Sequence, residues 1–352
     1  MSEQNQEKVP KIFNSKRIAL AIGIGLLMIA YIFYDEMKTK GLTFETLINN
    51  VSNAKPFWLL MALLVLILRD GGYMYRIRHL TLKKLSWKSS FYVVVLWEFA
   101  SALTPSVVGG AAIAIFILSK EKIPFGKSLA YVMLTTILDN LFFVFAGLLV
   151  LLYSGSYIFP ETDFVSREFL INSFYLSYGL IAFYVFIMVF GLFISPRGFK
   201  LLLMKITSLK LFRRWKKAAN EQGTQMIMAS EELKSANANY WVKASLSTLL
   251  IWIARYFMLN CLVAAFADKP LTLSDHHISL SRQVVMWIAQ LISPTPGASG
   301  IAEKLFTVFF EDILTGIGVT IFVAFIWRAI THIAYLLLGA FILPKWIKKV
   351  FK

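Results

Sequence analysis

Eight ionisable side chains stand inside apolar stretches of this sequence: Arg69, Arg255, Lys304 and Arg328, and against them Asp70, Glu98, Asp139 and Glu303. An unpaired charge in hydrocarbon costs about 3 kcal/mol or more, so each of these marks either a partner or a polar pathway. Guanidinium groups in such a place suit capture of a phosphate or phosphodiester, whose oxygens they bind in pairs. Arg255 and Arg328 lie deep in their stretches and lead the set of anion-binding candidates. Arg69 lies nearer an end, where snorkelling to the interface beside Asp70 is an equal expectation. Glu98, Asp139 and Glu303 are the candidates for gating the arginines or carrying protons. Thr135, Thr136, Asp139 and Asn140 make one polar stripe on a helix, and His332 follows Arg328 by one turn. The competing reading is a set of buried ion pairs that only fix helix packing.

Two breaks interrupt the apolar pattern. One is Thr104-Pro105-Ser106-Val107-Val108-Gly109-Gly110; the other is Ser293-Pro294-Thr295-Pro296-Gly297-Ala298-Ser299-Gly300-Ile301-Ala302-Glu303. Pro105, Pro294 and Pro296 are the expected hairpin breaks. Each break follows an apolar helix carrying an arginine, Arg69 or Arg255, and precedes one carrying a central charge, Asp139 or Arg328, at similar distances. Paired, Pro/Gly-interrupted apolar segments of this kind point to a repeat interface that holds a transport site. After each break the next arm starts with free N–H groups and a positive dipole end, at Ser106 and Gly297. Ser106, Gly109, Gly110, Gly297, Ser299 and Gly300 are therefore anion-site candidates as well. The same glycines also suit close packing of membrane helices.

These side chains must be positioned by membrane-spanning helices. Of the 352 residues 58% are hydrophobic and 16% charged, which describes an all-α polytopic membrane protein. The predicted transmembrane helices are six: Ile18–Tyr34, Pro56–Tyr75, Ser128–Tyr153, Phe174–Ile194, Val242–Phe266 and Leu314–Leu343. The first lacks a cleavage site and reads as a retained helix. The broken regions Phe91–Ser119 and Arg282–Phe310 have arms of about 13 residues, or about 20 Å, too short to cross comfortably. Reading both as re-entrant hairpins puts segments 1–17, 76–90, 119–127, 195–243 and 344–352, all net positive, on one side. The opposite loops, 35–55, 154–173, 267–282 and 311–313, are neutral or acidic, the asymmetry expected of cytoplasmic and outer faces. Both termini are then cytoplasmic. The two hairpins enter from opposite faces, so the chain reads as one membrane domain, 1–352, holding an inverted repeat. Its first unit is 56–153 (helix, re-entrant hairpin, helix), its second 242–343, and a basic cytoplasmic loop, 195–241, joins them. Non-helical backbone at membrane depth implies a wet cavity.

The Thr-Pro-Ser-x-x-Gly-Gly break, the Pro-Thr-Pro-Gly-x-x-Gly-x-x-Glu segment and the interior arginines resemble the lysylphosphatidylglycerol synthetase transmembrane family, a flippase-like domain. The resemblance covers about residues 15 to 345 and nominates Pro105, Ser106, Gly109, Gly110, Pro296, Gly297, Gly300 and Glu303. Two-part members carry a further aminoacyl-transferase domain, and with the chain stopping at Lys352 that activity is expected to be absent. What the resemblance implies is a lipid translocase, flippase or scramblase-like, in a bacterial cytoplasmic (inner) membrane. Its partners would be membrane lipids, an anionic phospholipid or a polyprenyl phosphate, with a homodimer left open. Two alternatives stand beside it: an integral-membrane transferase using Glu98, Asp139 or Glu303 as general base, and a secondary transporter of a small anion. No nucleotide loop, nucleophile motif or metal cluster is visible, so neither cofactor nor metal is expected. The single cysteine, Cys261, excludes an internal disulfide. Asp275-His276-His277 reads as a solvated loop. The basic 195–217 stretch suits an interfacial helix on an anionic leaflet, and no nucleic-acid-binding fold accompanies it.

Overall fold

The computed structural model describes residues 43–104, 106–161, 166–290, 295, 298–316 and 318–350, with a few isolated positions between 23 and 38. Among them every regular element is helical and none is a strand. The helices are α1 (Phe44–Ser52), α2 (Pro56–Leu80), α3 (Trp87–Leu103), α4 (Ser106–Lys120), α5 (Phe125–Ser154), α6 (Arg167–Val189) and α7 (Pro196–Ser208). They continue as α8 (Lys216–Lys234), α9 (Ala238–Phe266), α10 (Leu273–Gln290), α11 (Ile301–Phe310), α12 (Val319–Arg328) and α13 (Ala334–Val350). Short π-helical turns, Phe190–Ile194 and Ala329–Ile333, extend α6 and join α12 to α13.

Among the described residues five helices are long and apolar enough to cross a membrane: Pro56–Leu80, Phe125–Ser154, Arg167–Ile194, Ala238–Phe266 and Val319–Val350. These match five of the six predicted spans, and the protein is a polytopic membrane protein. The remaining one, Ile18–Tyr34, lies almost wholly outside the described residues. Local sequence explains where the helices start. Pro56 opens α2 at a position where a missing N–H costs nothing. Ser86 Oγ accepts the Ser89 N–H at 3.1 Å to cap α3, and Asn237 Oδ1 accepts the Tyr240 N–H at 3.0 Å to cap α9.

The 195–241 segment is not an open loop. Its helices α7 and α8 pack together, with Lys200 Nζ donating to Thr224 Oγ1 at 2.8 Å. Met226, Ala229 and Leu233 on α8 are buried at helical spacing, and the Gln225 side chain accepts the Gly126 N–H at 3.2 Å at the start of α5. The high charge of this segment hides a short apolar stripe, enough to dock one helix face.

Contacts sort the connecting segments onto two ends of the bundle. At one end Glu232 pairs with Lys84 at 3.5 Å and Lys127 at 2.8 Å. There too Lys349 reaches Ser89 at 3.3 Å and Glu121 at 2.8 Å, so the beginning of α3 and the end of α4 meet the same lysine. At the other end Lys55 Nζ donates to the Ala267 carbonyl at 2.7 Å, Trp58 packs on His276, Ser154 meets Ser281 at 3.1 Å, and Arg282 pairs with Asp312 at 2.5 Å. Arg282 lies in the middle of α10 and Asp312 just beyond α11. A large apolar core fills each end.

Helix packing brings α2 and α9 together at the centre, where a β-carbon on Gly72 would lie 2.9 Å from Ile251 Cγ1. The helices α3 and α4 approach most closely at Gly110, where a β-carbon would run into Ser101 Oγ and stand 3.2 Å from Ser101 Cα. Glycine is needed there for backbone approach, as in small-residue membrane interfaces. α3 packs on α13, and α5 packs on α10.

Candidate functional site

Between the two cores lies a cavity of about 260 Å³. Four tryptophans line it, Trp97, Trp252, Trp287 and Trp327, with Tyr73 and Phe143. Its polar lining includes Arg76, Glu98, Asp139, Arg255 and Arg328. Helices α2, α3, α5, α9, α10 and α12 each contribute, so the site exists only when both halves of the chain are packed.

The charges fall into four groups. Arg76 donates to both carboxylate oxygens of Asp139, to Oδ2 at 3.0 Å, and its Nη1 also donates to Thr248 Oγ1 at 3.2 Å. Trp252 Nε1 donates to Asp139 Oδ1 at 2.7 Å, which satisfies that carboxylate on a second side. Arg328 Nε donates to Glu303 Oε1 at 2.8 Å and its Nη2 to Ser299 Oγ at 3.3 Å. Glu303 in turn accepts the Gly300 N–H at 2.6 Å. Gly300 holds φ at +81°, a conformation that favours glycine, and this turns its N–H back onto the carboxylate. Arg328 and Glu303 are 8% and 4% exposed, a closed pair.

Arg255 is held differently. Its Nη1 donates to Tyr73 Oη at 3.1 Å, and its contact with Glu98 is long, at 4.0 Å. Its guanidinium carbon sits 4.4 Å from the ring centroid of Trp287 and 5.3 Å from that of Trp252. Stacking on aromatic faces stabilises a desolvated cation while leaving its N–H edge available. The fourth group, Arg69 with Asp70 and Tyr335, ties α2 to α13 beside the cavity: Arg69 donates to Asp70 at 2.8 Å and to Tyr335, whose hydroxyl donates to Asp70 at 2.5 Å.

The sequence-derived candidates distribute unevenly over this geometry. Arg255, Arg328, Glu98 and Asp139 line the cavity, and Thr135, Thr136 and Asn140 join them as one stripe. Glu303 and Ser299 reach it through Arg328. Snorkelling of Arg69 is overturned: its side chain is 1% exposed, because Asp70 and Tyr335 satisfy it within the protein. Asp139 takes Arg76 as its partner. Arg76 was assigned to the basic segment after the second span, yet its side chain is 3% exposed. The signal that could have found it is helical spacing: Arg69, Tyr73 and Arg76 fall within two turns on one face of α2. Gly110 packs on Ser101, Ser106 and Gly109 belong to α4, and Gly300 caps α11. Pro105, Pro294, Pro296 and Gly297 lie outside the described residues.

At the basic end, burial disfavours the charged form of Glu232, but the Lys127 hydrogen bond and the charge of Lys84 outweigh it and hold the carboxyl below its usual range. The Asp275 carboxyl is also held low, by accepting the Thr272 N–H and hydroxyl, each at 2.8 Å. It is therefore occupied as a helix cap.

Among the described residues no group of three or more His, Cys, Asp or Glu is arranged to hold a metal ion. What the cavity offers is a cation on an aromatic wall, two saturated ion pairs and hydroxyl-bearing helices. The sequence pattern of the lysylphosphatidylglycerol synthase TM region matches residues 18–339 of this chain. A UPF0104 membrane protein of Archaeoglobus fulgidus is 25% identical over 288 residues, which make up 81% of this chain and 81% of the relative.

Proposed function

The chain belongs to the lysylphosphatidylglycerol synthase transmembrane-region family, and from that premise we propose that it is a lipid translocase. Its cargo would be an anionic phospholipid or a polyprenyl phosphate, moved between the leaflets of a cytoplasmic membrane. The observation that carries this reading is Arg255: a guanidinium inside the bundle, held by one tyrosine and a distant carboxylate, with aromatic faces behind it. A phosphate, whose oxygens take a guanidinium's N–H groups in pairs, suits such a group.

In this reading α3 with α4 and α10 with α11 are re-entrant hairpins of opposite orientation, and units 56–153 and 242–343 form an inverted repeat. The packing supports it. Exchanging the two halves maps the α3 contact with α13 onto the α10 contact with α5, and it maps the central α2–α9 contact onto itself. Sidedness supports it too, because the bundle end that gathers the basic segments is the one that charge asymmetry assigns to the cytoplasm, with both termini. The headgroup would pass through the cavity while acyl chains stay in lipid, and Glu98 would take Arg255 back when the anion leaves.

Headgroup translocation in proteoliposomes tests the proposal, with fluorescent anionic phospholipid, zwitterionic phospholipid and a polyprenyl phosphate compared against empty liposomes. Faster movement of an anionic lipid, lost in a folded Arg255→Ala variant, is the expected result. If none of the three lipids crosses faster than in empty liposomes under any ion gradient, the reading fails.

A further inference from the structure

Helix α7 (Pro196–Ser208) begins two residues after Ile194, where the α6 span ends. That span, Arg167–Ile194, has 28 residues, a length of about 40 Å against about 30 Å of hydrocarbon. Its end therefore stands at the level of the lipid headgroups. Two contacts hold α7 and α8 to it. Phe199 packs on Gly191, where a β-carbon would lie 2.9 Å from Phe199 Cδ2, and Ser230 Oγ of α8 donates to the Leu192 carbonyl. The side of α7 that meets α8 is fixed by the Lys200–Thr224 hydrogen bond and by a close approach at Gly223, where a β-carbon would lie 2.6 Å from Lys200 Cγ.

The side of α7 left outward is largely apolar. Leu201, Leu202 and Ile206 are exposed on the helix, Leu209 and Leu211 just beyond it, Leu211 to 78%. Trp215 is exposed as well, with the Phe212 ring stacked on it at 5.8 Å and the Arg214 guanidinium carbon 4.2 Å from its ring centroid. The neighbouring helix α8 is different: Asn220, Glu221, Thr224 and Glu231 are exposed on it, and Met228 is its one large exposed apolar residue. That is the surface of a helix facing water, and the surface of α7 is not.

Charge narrows what covers α7. Between residues 195 and 217 the sequence has eight basic side chains and no acidic one. Arg213, Arg214, Lys216 and Lys217 follow the apolar row and are exposed. Lys205 sits within the row, on a stem long enough to lift its ammonium clear of it. An apolar row edged by cations is the pattern of a helix lying in the interface of an anionic membrane. At the end of a span such a surface is already beside it, so no further partner is needed.

We propose that α7 and the turn through Trp215 form a docking surface for anionic lipid in the leaflet at the basic end of the bundle. The leucines and Ile206 enter the interface, and the four cations around Trp215 hold headgroup phosphates at its edge. The surface lies outside the cavity and does not depend on the translocase reading.

The test places single cysteines in the full chain and labels each with an environment-sensitive fluorophore: Leu202→Cys and Leu211→Cys on the proposed surface, Asn220→Cys on the outer side of α8. Cys261 is buried and stays in place, with the unsubstituted chain as the labelling blank. Each protein is set in nanodiscs of phosphatidylcholine, with or without phosphatidylglycerol, in which a fraction of the acyl chains carries bromine as a quencher. With phosphatidylglycerol present, the Leu202 and Leu211 probes should be quenched several-fold more strongly than the Asn220 probe. The gain over phosphatidylcholine alone should vanish at 1 M salt, where the Debye length falls to about 3 Å. It should vanish too when Arg213→Glu, Arg214→Glu, Lys216→Glu and Lys217→Glu are combined. Quenching at Leu202 and Leu211 no stronger than at Asn220, or equal in the two lipid mixtures, overturns the proposal. So does shielding of both probes from aqueous iodide without quenching by lipid, which would mean that a second copy or another protein covers the face. None of these readouts measures lipid transfer, so the docking surface and the translocase fail separately.

Discussion

Arg328 and Arg255 look into one cavity from different helices, and their partners differ in kind. Arg328 is enclosed by a carboxylate at 2.8 Å that is itself fixed by a backbone N–H. Arg255 leans on tryptophan faces and a phenol, with its carboxylate at 4.0 Å. Both are buried arginines, yet a buried cation whose charge is already neutralised has little left for a ligand. The cost of taking Arg328 and Glu303 out of water is offset only by each other, so that pair acts as a lock between α11 and α12. Burial of Arg255 is supported by polarisable rings, which stabilise charge without consuming its donors.

The largest effect should separate these two roles. Arg328→Ala leaves Glu303 as an uncompensated buried charge and should cost about 3–5 kcal/mol of stability. The double variant Arg328→Gln with Glu303→Gln should recover most of that in thermal unfolding. Arg255→Ala should lower stability far less while removing anion binding. Equal losses of stability from Arg328→Ala and Arg255→Ala would erase the distinction between lock and binding group.

A smaller effect sharpens the distinction from the side of the first helix pair. Gly110→Val should push α4 from α3 at Ser101, three residues after Glu98, at a cost of about 1–3 kcal/mol. The shift should alter the Glu98 contact with Arg255, read as a changed affinity for a phosphate probe. The Arg328 pair lies on other helices, so the same variant should leave the Arg328→Gln, Glu303→Gln energetics additive with its own. Non-additivity would mean that the two arginines are coupled.

The smallest effect concerns Glu232 at the basic end, far from both arginines. Its carboxyl is held below the ordinary value of 4.5, so its contribution to stability is complete above that pH and is lost as the pH falls through the folded-state value. Melting temperature followed downward from pH 5 should drop more steeply in the wild type than in Glu232→Gln. Parallel curves would remove the Glu232 pairs from the stability of this end.

The sequence announced the membrane class, because long apolar stretches with few charges leave helices as the available way to satisfy the backbone in lipid. Five described spans follow that pattern closely. It also announced that Arg255, Arg328, Glu98 and Asp139 belong to one polar interior, since charges placed mid-span have nowhere else to go. It missed Arg76 because composition alone groups it with the basic residues that follow, although its helix runs on to Leu80. It misjudged Arg69, whose burial depends on Tyr335 from the far end of the chain.

What the sequence determined by itself is therefore the helices and the mid-span charges on them that must be kept from lipid, Arg255, Arg328, Glu98 and Asp139, because the energy of burying a charge depends on local hydropathy. What only the tertiary structure decided is which charges neutralise one another. Pair energies fall off over a few ångströms, and the packing of α2 on α9 and of α11 on α12 sets those distances. That packing gave Asp139 to Arg76 and Glu303 to Arg328, and it left Arg255 on the tryptophans with donors to spare.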